Sequence, residues 1–287
     1  MRSFLHGVCK LVAVALTAVL CIGGSARVGE AIARSADRAR PLVIAHRGAS
    51  GVAPENTMAS FEQAVRFGAD MIELDVHGSR DGNLVVIHDS MTMRTARGNA
   101  QGAVADLTLE QLKTLDVGVW KGPQFAGERI PTLDEVLTAF RGRAVVLIEL
   151  KARGIEERVA QIIHDTGMED GVVLQSFDAE SMRIMRGLLP EVRMGVLYRD
   201  IWITDPAGRG RRIAEQTLGV GASFAGMNFG AISPELVGVL KNGGVDVFAW
   251  TADDDWVFER LMEAGVDGII TNYPERLLEF LGMAAGK

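Results

Sequence analysis

Short apolar runs recur along this chain, each followed by a longer stretch in which apolar residues return every three or four positions. The runs are Leu42–His46, Met71–His77, Ala144–Lys151, Val172–Phe177, Arg193–Tyr198, Phe224–Phe229, Asp246–Thr251 and Asp267–Asn272, eight in all. Several are apolar almost throughout, as parallel strands buried on both faces must be. Between them the spacing predicts amphipathic helices. Thr57–Phe67 puts Phe61, Ala64 and Val65 on one face, and Ile155–Thr166 does the same with Val159, Ile162 and Ile163. Ala179–Leu189, Pro234–Asn242, Asp254–Ala264 and Pro274–Leu281 repeat the pattern, and Gly68, Gly167, Gly243 and Gly265 stand where such helices should stop. Strand and helix alternating in this way predict an α/β fold of the (β/α)8 TIM-barrel type. A doubly wound open sheet competes, but it would more usually carry a Gly-rich phosphate loop after its first strand, and none is present there.

The second unit departs from the pattern. Leu84–His88 reads as an extra strand after an Asp81-Gly82 turn, and residues 91–131 separate it from a helix expected over Thr132–Phe140. That stretch is too long for a plain connection. It is expected to form a small insertion over the barrel mouth, with Trp120 and Phe125 among its apolar residues. The barrel domain is expected to run from 41 to 283, with no internal linker.

The first residues have another character. Arg2 and Lys10 form a basic start, Leu11–Gly24 is an apolar run of 14 residues, and the small residues Ala26, Ala31 and Ala33 follow. This is the layout of an export signal over residues 1–33, and the run is short for a membrane span. An uncleaved anchor helix is the alternative. Cys21 follows Leu20, where lipid attachment prefers a small residue, so a lipoprotein is disfavoured. Both cysteines, Cys9 and Cys21, lie in this leader, which leaves the mature chain without a disulfide, a thiolate nucleophile or a Cys-ligated metal. Cleavage after residue 33 would remove three of the 30 basic and one of the 37 acidic residues, leaving a balance of −9. So acidic a chain is not expected to bind nucleic acid, which needs a basic face. The expected location is periplasmic or secreted, with no stable membrane insertion once the leader is gone.

The candidate chemistry sits at strand ends. Glu73, Asp75 and His77 share one face of the second strand by alternation, and Glu149 and Lys151 share one face of the third. In a barrel of this kind, strand C-termini form the floor of the active site. Glu73, Asp75 and Glu149 then offer hard oxygen ligands for one divalent ion, calcium or magnesium. His46 closes the first strand and His88 the extra strand, and a pair of imidazoles can act as base and acid in one cycle. His77 is left outside this catalytic pair, and His164 lies in a helical pattern that puts it on the surface. Arg47 and Lys151 are candidates for phosphate oxygens, or for ion pairs with the neighbouring acids. Trp250, Phe177 and Phe229 end late strands and are candidate pocket walls, with plain barrel packing an equal alternative for Phe177 and Phe229. Pro54-Glu55-Asn56-Thr57 reads minimally as a helix start capped by Asn56 or Thr57. The set suits a metal-assisted attack on a phosphodiester.

His46-Arg47-Gly48, Pro54-Glu55-Asn56-Thr57, Glu73-Leu74-Asp75-Val76, Asp81-Gly82 and Val86-Ile87-His88-Asp89 are followed in order by Ile130-Pro131-Thr132-Leu133, Glu149-Leu150-Lys151, Trp250-Thr251 and Asp267 to Pro274. This ordered set resembles the glycerophosphodiester phosphodiesterases over roughly residues 42–280. The resemblance implies a (β/α)8 barrel, one divalent metal on Glu73, Asp75 and Glu149, acid–base work by His46 and His88, and phosphate contacts from Arg47 and Lys151. One departure is Asp253 after Trp250-Thr251-Ala252, where the family often has asparagine; it is expected to bear on pocket detail and not on chemistry. The expected substrate is a small glycerophosphodiester. Rival readings are a lysophospholipase D or phospholipase of the same fold, and a phosphodiester-binding protein without catalysis.

Overall fold

The Val, Ile and Leu of the apolar runs can be buried on both faces only if strands lie side by side under a layer of helices. The computed structural model describes residues 40–199 and 205–282 and shows this arrangement. Its strands are β1 (Leu42–Ala45), β2 (Met71–Gly78), β3 (Leu84–Val86), β4 (Val145–Leu150), β5 (Val172–Ser176), β6 (Arg193–Tyr198), β7 (Phe224–Asn228), β8 (Asp246–Trp250) and β9 (Gly268–Thr271). β1 pairs in parallel with both β2 and β9, so eight of the strands close into a parallel ring. The fold is the predicted (β/α)8 TIM barrel. The predicted leader, residues 1–33, lies outside the described residues. Among the described residues, no helix is long and apolar enough to cross a membrane.

β3 stands outside the ring. β1 meets β2 only at Met71 and Ile72, which leaves the upper half of that edge of β2 unpaired by β1. β3 fills it in antiparallel register, Val76 opposite Val86. The Ile87 N–H then donates to the Asp75 carbonyl at 3.0 Å, which carries the chain back to the barrel mouth at His88.

Alternation along the strands separates two cores. Leu42, Ile44, Met71, Val145, Leu147, Val173, Phe224, Phe248 and Ile270 fill the barrel interior. Val43, Ala45, Ile72, Leu74, Val76, Val146 and Ile148 face the helices. Gly195 leaves room for the inner layer: a Cβ there would meet the Phe224 ring at 2.1 Å, and that ring stacks on Phe248 at 4.3 Å. Glu73 and Asp75 have the parity of Met71, and Glu149 that of Leu147, so the same alternation points them into the barrel nearer its mouth.

The expected helices form within a residue or so of their predicted ends. Thr57, not Asn56, caps Met58–Phe67: it accepts from the Ser60 N–H, and Ser60 Oγ accepts from the Thr57 N–H in return. Helix Pro206–Gly219 was not expected from the periodicity. It carries Gly208, Gly210 and Arg211-Arg212, and few apolar residues mark its stripe. Its start is set by Asp205, which accepts from the Gly208 N–H, and by Pro206 in the first turn. Gly210 lets it lie close to helix Pro234–Asn242, since a Cβ there would come 2.7 Å from Val239.

The stretch between β3 and the helix at Leu133–Phe140 contains a short helix, Leu109–Thr114, and its own cluster of Val85, Ile87, Ala96, Val104, Leu112, Leu115, Val117 and Ile130. It therefore packs onto β3. Trp120 and Phe125 are half-buried, and neither lines the central cavity.

Candidate active site

A cavity of about 300 Å³ opens at the C-terminal mouth of the barrel. His46, Arg47, Glu73, His88, Glu149, Lys151 and Trp250 all line it, so residues far apart in sequence converge there. Asp75 lies in the same acidic cluster and is buried. Phe177 shares the wall and meets Trp250 edge to face at 5.8 Å. Phe229 takes the packing alternative: it is not among the cavity's lining residues, lies against the core and meets Trp256 at 6.3 Å. β7 ends at Asn228, before this residue, and the chain turns there into a short 3₁₀ segment. His77 Nε2 donates to the His88 carbonyl at 3.0 Å and does not line the cavity. His164 is exposed, 2.9 Å from Glu169.

Glu73, Asp75 and Glu149 each offer an oxygen within 4.8 Å of the others, and all three are buried. Burial and the charges of Asp75 and Glu149 push the Glu73 carboxyl well above the usual range. Burial and the Asp75 charge push Glu149 up to about 7, against the pull of Lys151. Burial pushes Asp75 up too, but Arg47 and Lys151 outweigh it and hold that carboxyl down. Among the described residues, Asp75 Oδ1 makes no hydrogen bond and has only a longer ionic contact to Lys151 at 3.5 Å. Three crowded acids with one uncommitted oxygen fit a divalent cation with oxygen ligands.

The two cationic side chains are tied to these acids. Arg47 pairs with Glu55 at 2.8 Å and with Asp75 at 3.3 Å. Its backbone lies in the left-handed region, φ +55°, uncommon outside glycine, and its N–H donates to Glu73 Oε2 at 2.8 Å. Lys151 donates to Glu149 at 2.7 Å. Both the ion-pair and the phosphate-binding expectation are thus compatible with one geometry, because each cation faces the cavity while paired.

The two histidines have opposite settings. His46 Nδ1 lies 2.8 Å from Asn272 Oδ1. The Asn272 amide donates through Nδ2 to Asp253 at 2.6 Å, so its oxygen must face the imidazole. His46 therefore carries its proton on Nδ1 and leaves Nε2 as an acceptor. Enclosure in the rim, with Arg47 beside it, lowers its pKa to about 4, so the ring is neutral at neutral pH. His88 Nδ1 instead pairs with the Asp89 carboxylate at 2.6 Å, which orients the ring.

Several supporting residues were not singled out from the sequence. Asn56 donates to Asp75 Oδ2 at 2.8 Å, Glu55 holds Arg47, and Asn272 orients His46. Glu55, Asn56, Asp89 and Asn272 all sit inside the quoted motifs, which were the available signal. Asp253 is corrected. It accepts from the Asn272 amide and so fixes the tautomer of His46, which takes this departure beyond pocket detail.

Residues 46–276 match the profile of the Glycerophosphoryl diester phosphodiesterase family. The chain is 42% identical over 248 residues to a glycerophosphodiester phosphodiesterase of Caldanaerobacter subterraneus subsp. tengcongensis, covering 84% of this chain and 98% of that protein. It is 35% identical over 258 residues to a glycerophosphodiester phosphodiesterase of Bacillus subtilis, covering 82% of this chain and 85% of that one. Among solved structures, an Oleispira antarctica phosphodiesterase in complex with the product sn-glycerol-3-phosphate superposes with a TM-score of 0.75 at 29% identity, covering 84% of this chain and 97% of that one.

Proposed function

The chain belongs to the glycerophosphoryl diester phosphodiesterase family, whose named members are phosphoric diester hydrolases, and from that premise we propose that it is an exported, cation-dependent enzyme cleaving glycerophosphodiesters such as glycerophosphocholine to sn-glycerol 3-phosphate and an alcohol. One observation carries the reading. A neutral imidazole and a carboxylate-paired imidazole face one cavity beside three buried carboxylates.

His46 Nε2 takes the proton from the glycerol hydroxyl next to the phosphoester, and that oxygen attacks phosphorus. The bond to the head-group alcohol breaks as a cyclic glycerol phosphate forms. His88 gives its proton to the departing oxygen. Water then opens the cycle with the two roles reversed. Arg47, through its fork, and Lys151, as a point charge, bind the non-bridging oxygens. A divalent ion held by Glu73, Asp75 and Glu149 would supply charge stabilisation of the phosphate and acidify the hydroxyl, calcium or magnesium suiting the all-oxygen set and an exported setting favouring calcium. Residues 1–33 would be removed as the leader, which leaves the enzyme in the periplasm or secreted.

Because Glu149 and Glu73 hold protons to unusually high pH, cation binding must displace them. Titration with calcium or magnesium at roughly pH 6.5 is expected to release protons, fewer as pH rises. Calorimetry in buffers of different ionisation enthalpy measures this, and identical heats in all of them would place the cation elsewhere.

The activity itself is tested by stripping the protein with EDTA and assaying glycerophosphocholine with calcium, magnesium and zinc added back. Turnover is expected to vanish on stripping and to return with calcium or magnesium. Lysophosphatidylcholine, assayed beside it, is expected to be the poorer substrate, and faster turnover of it would replace this reading with a lipid-directed one. Binding without product release would leave only a capture protein.

A further inference from the structure

Arg94 is not among the cavity's lining residues, yet its guanidinium joins two carboxylates, Glu55 and Asp89. It donates to Glu55 through both terminal nitrogens, at 2.8 and 2.7 Å. It donates to Asp89 through Nε at 2.6 Å and one terminal nitrogen at 3.1 Å. Glu55 is a fixed post: it also accepts from Arg47 and is only 12% exposed at the side chain. Asp89 is 31% exposed, and among the described residues its side chain bonds only His88 and Arg94.

The two histidines are held differently. His46 is oriented by Asn272, which Asp253 and Ser50 secure within the barrel rim. His88 follows β3, and its backbone is secured by the Ile87 N–H on Asp75 and by His77 on its own carbonyl. Its ring is held through Asp89, a neighbour in sequence that is free to turn unless something fixes it. The planar fork of an arginine can address two carboxylates at once, which an ammonium cannot do with the same geometry.

We propose that Arg94, supplied by the insertion, is a positioning residue for the leaving-group step: anchored on Glu55, it fixes the Asp89 carboxylate that orients the His88 ring. This rests on the reading of His88 as the acid. The insertion thereby acts on chemistry without lining the cavity, and Trp120 and Phe125 play no part in it.

The test compares two esters of glycerol 3-phosphate, glycerophosphocholine and the p-nitrophenyl ester, whose phenolate leaves without needing a proton. Arg94→Ala is expected to lower kcat on glycerophosphocholine about ten- to a hundredfold, in the range found when partners orienting a working imidazole are removed. KM and the calcium dependence should stay within about twofold, and kcat on the p-nitrophenyl ester should fall far less. Arg94→Lys keeps the charge without the fork and should fall between. His88→Ala should show the same ester selectivity in larger size, and adding Arg94→Ala to it should change nothing further. Equal loss on both esters, no loss on either, or an additive effect on His88→Ala would overturn the role of Arg94 alone. A His88→Ala variant that loses both esters equally would overturn the acid assignment, and the role of Arg94 with it.

Discussion

Replacing His46 with alanine is expected to lower kcat on glycerophosphocholine by about 10²–10⁴-fold, the usual worth of a positioned base. The ring is placed to act as a base for reasons visible around it. Its Nδ1 proton is committed to Asn272, so Nε2 is the only nitrogen able to receive one. Enclosure and Arg47 keep it neutral down to about pH 4, so it is in the competent form at neutral pH. The fold should survive, because the ring's partners are rim side chains and the barrel core lies below them. Thermal unfolding should confirm this, with a midpoint near the parent's. A variant with more than about a tenth of the parental rate would remove His46 from the reaction.

The second large effect is expected from Glu149→Gln. Glu149 is the cleanest of the three acids to change. Asp75 also organises Asn56 and Arg47, and Glu73 accepts the Arg47 N–H, whereas Glu149 bonds only Lys151 among the described residues. Losing one charged oxygen from the set should weaken calcium or magnesium by about a hundredfold or more and take turnover with it at low cation. Stability should move the other way. The folded-state pKa of Glu149 is raised to about 7, so its ionised form weighs against the fold increasingly as pH rises to that value. Removing that charge should stabilise the cation-free protein above neutrality by on the order of 3 kcal/mol. Scanning calorimetry of the stripped variant at roughly pH 8 measures this. A lower midpoint than the parent's, together with unchanged cation affinity, would make Glu149 a structural residue only.

The barrel was legible because each strand is nearly all apolar and each helix has a regular stripe, two periods that local sequence carries by itself. The exception follows the same logic. Helix Pro206–Gly219 has glycines and arginines where a stripe should be, and its position depends on close packing against a neighbour. Several predicted strands run a residue or two long at their C-terminal ends, as at His46, Lys151, Phe177 and His88. Side-chain alternation carries past the last strand residue there, and these positions come together at the mouth.

The chain alone therefore determines the strand and helix order, the inward parity of Glu73, Asp75 and Glu149, and the residue types able to perform acid–base chemistry. Those are properties of neighbours in sequence. The surroundings of each histidine were decided by the tertiary structure. Asn272 and Asp253 arrive from beyond β8 and set the proton of His46, while Asp89 beside His88 is held by Arg94 of the insertion, itself anchored on Glu55 of the first loop. A proton's position depends on hydrogen bonds a few ångströms long, and only the closed barrel brings those atoms within reach.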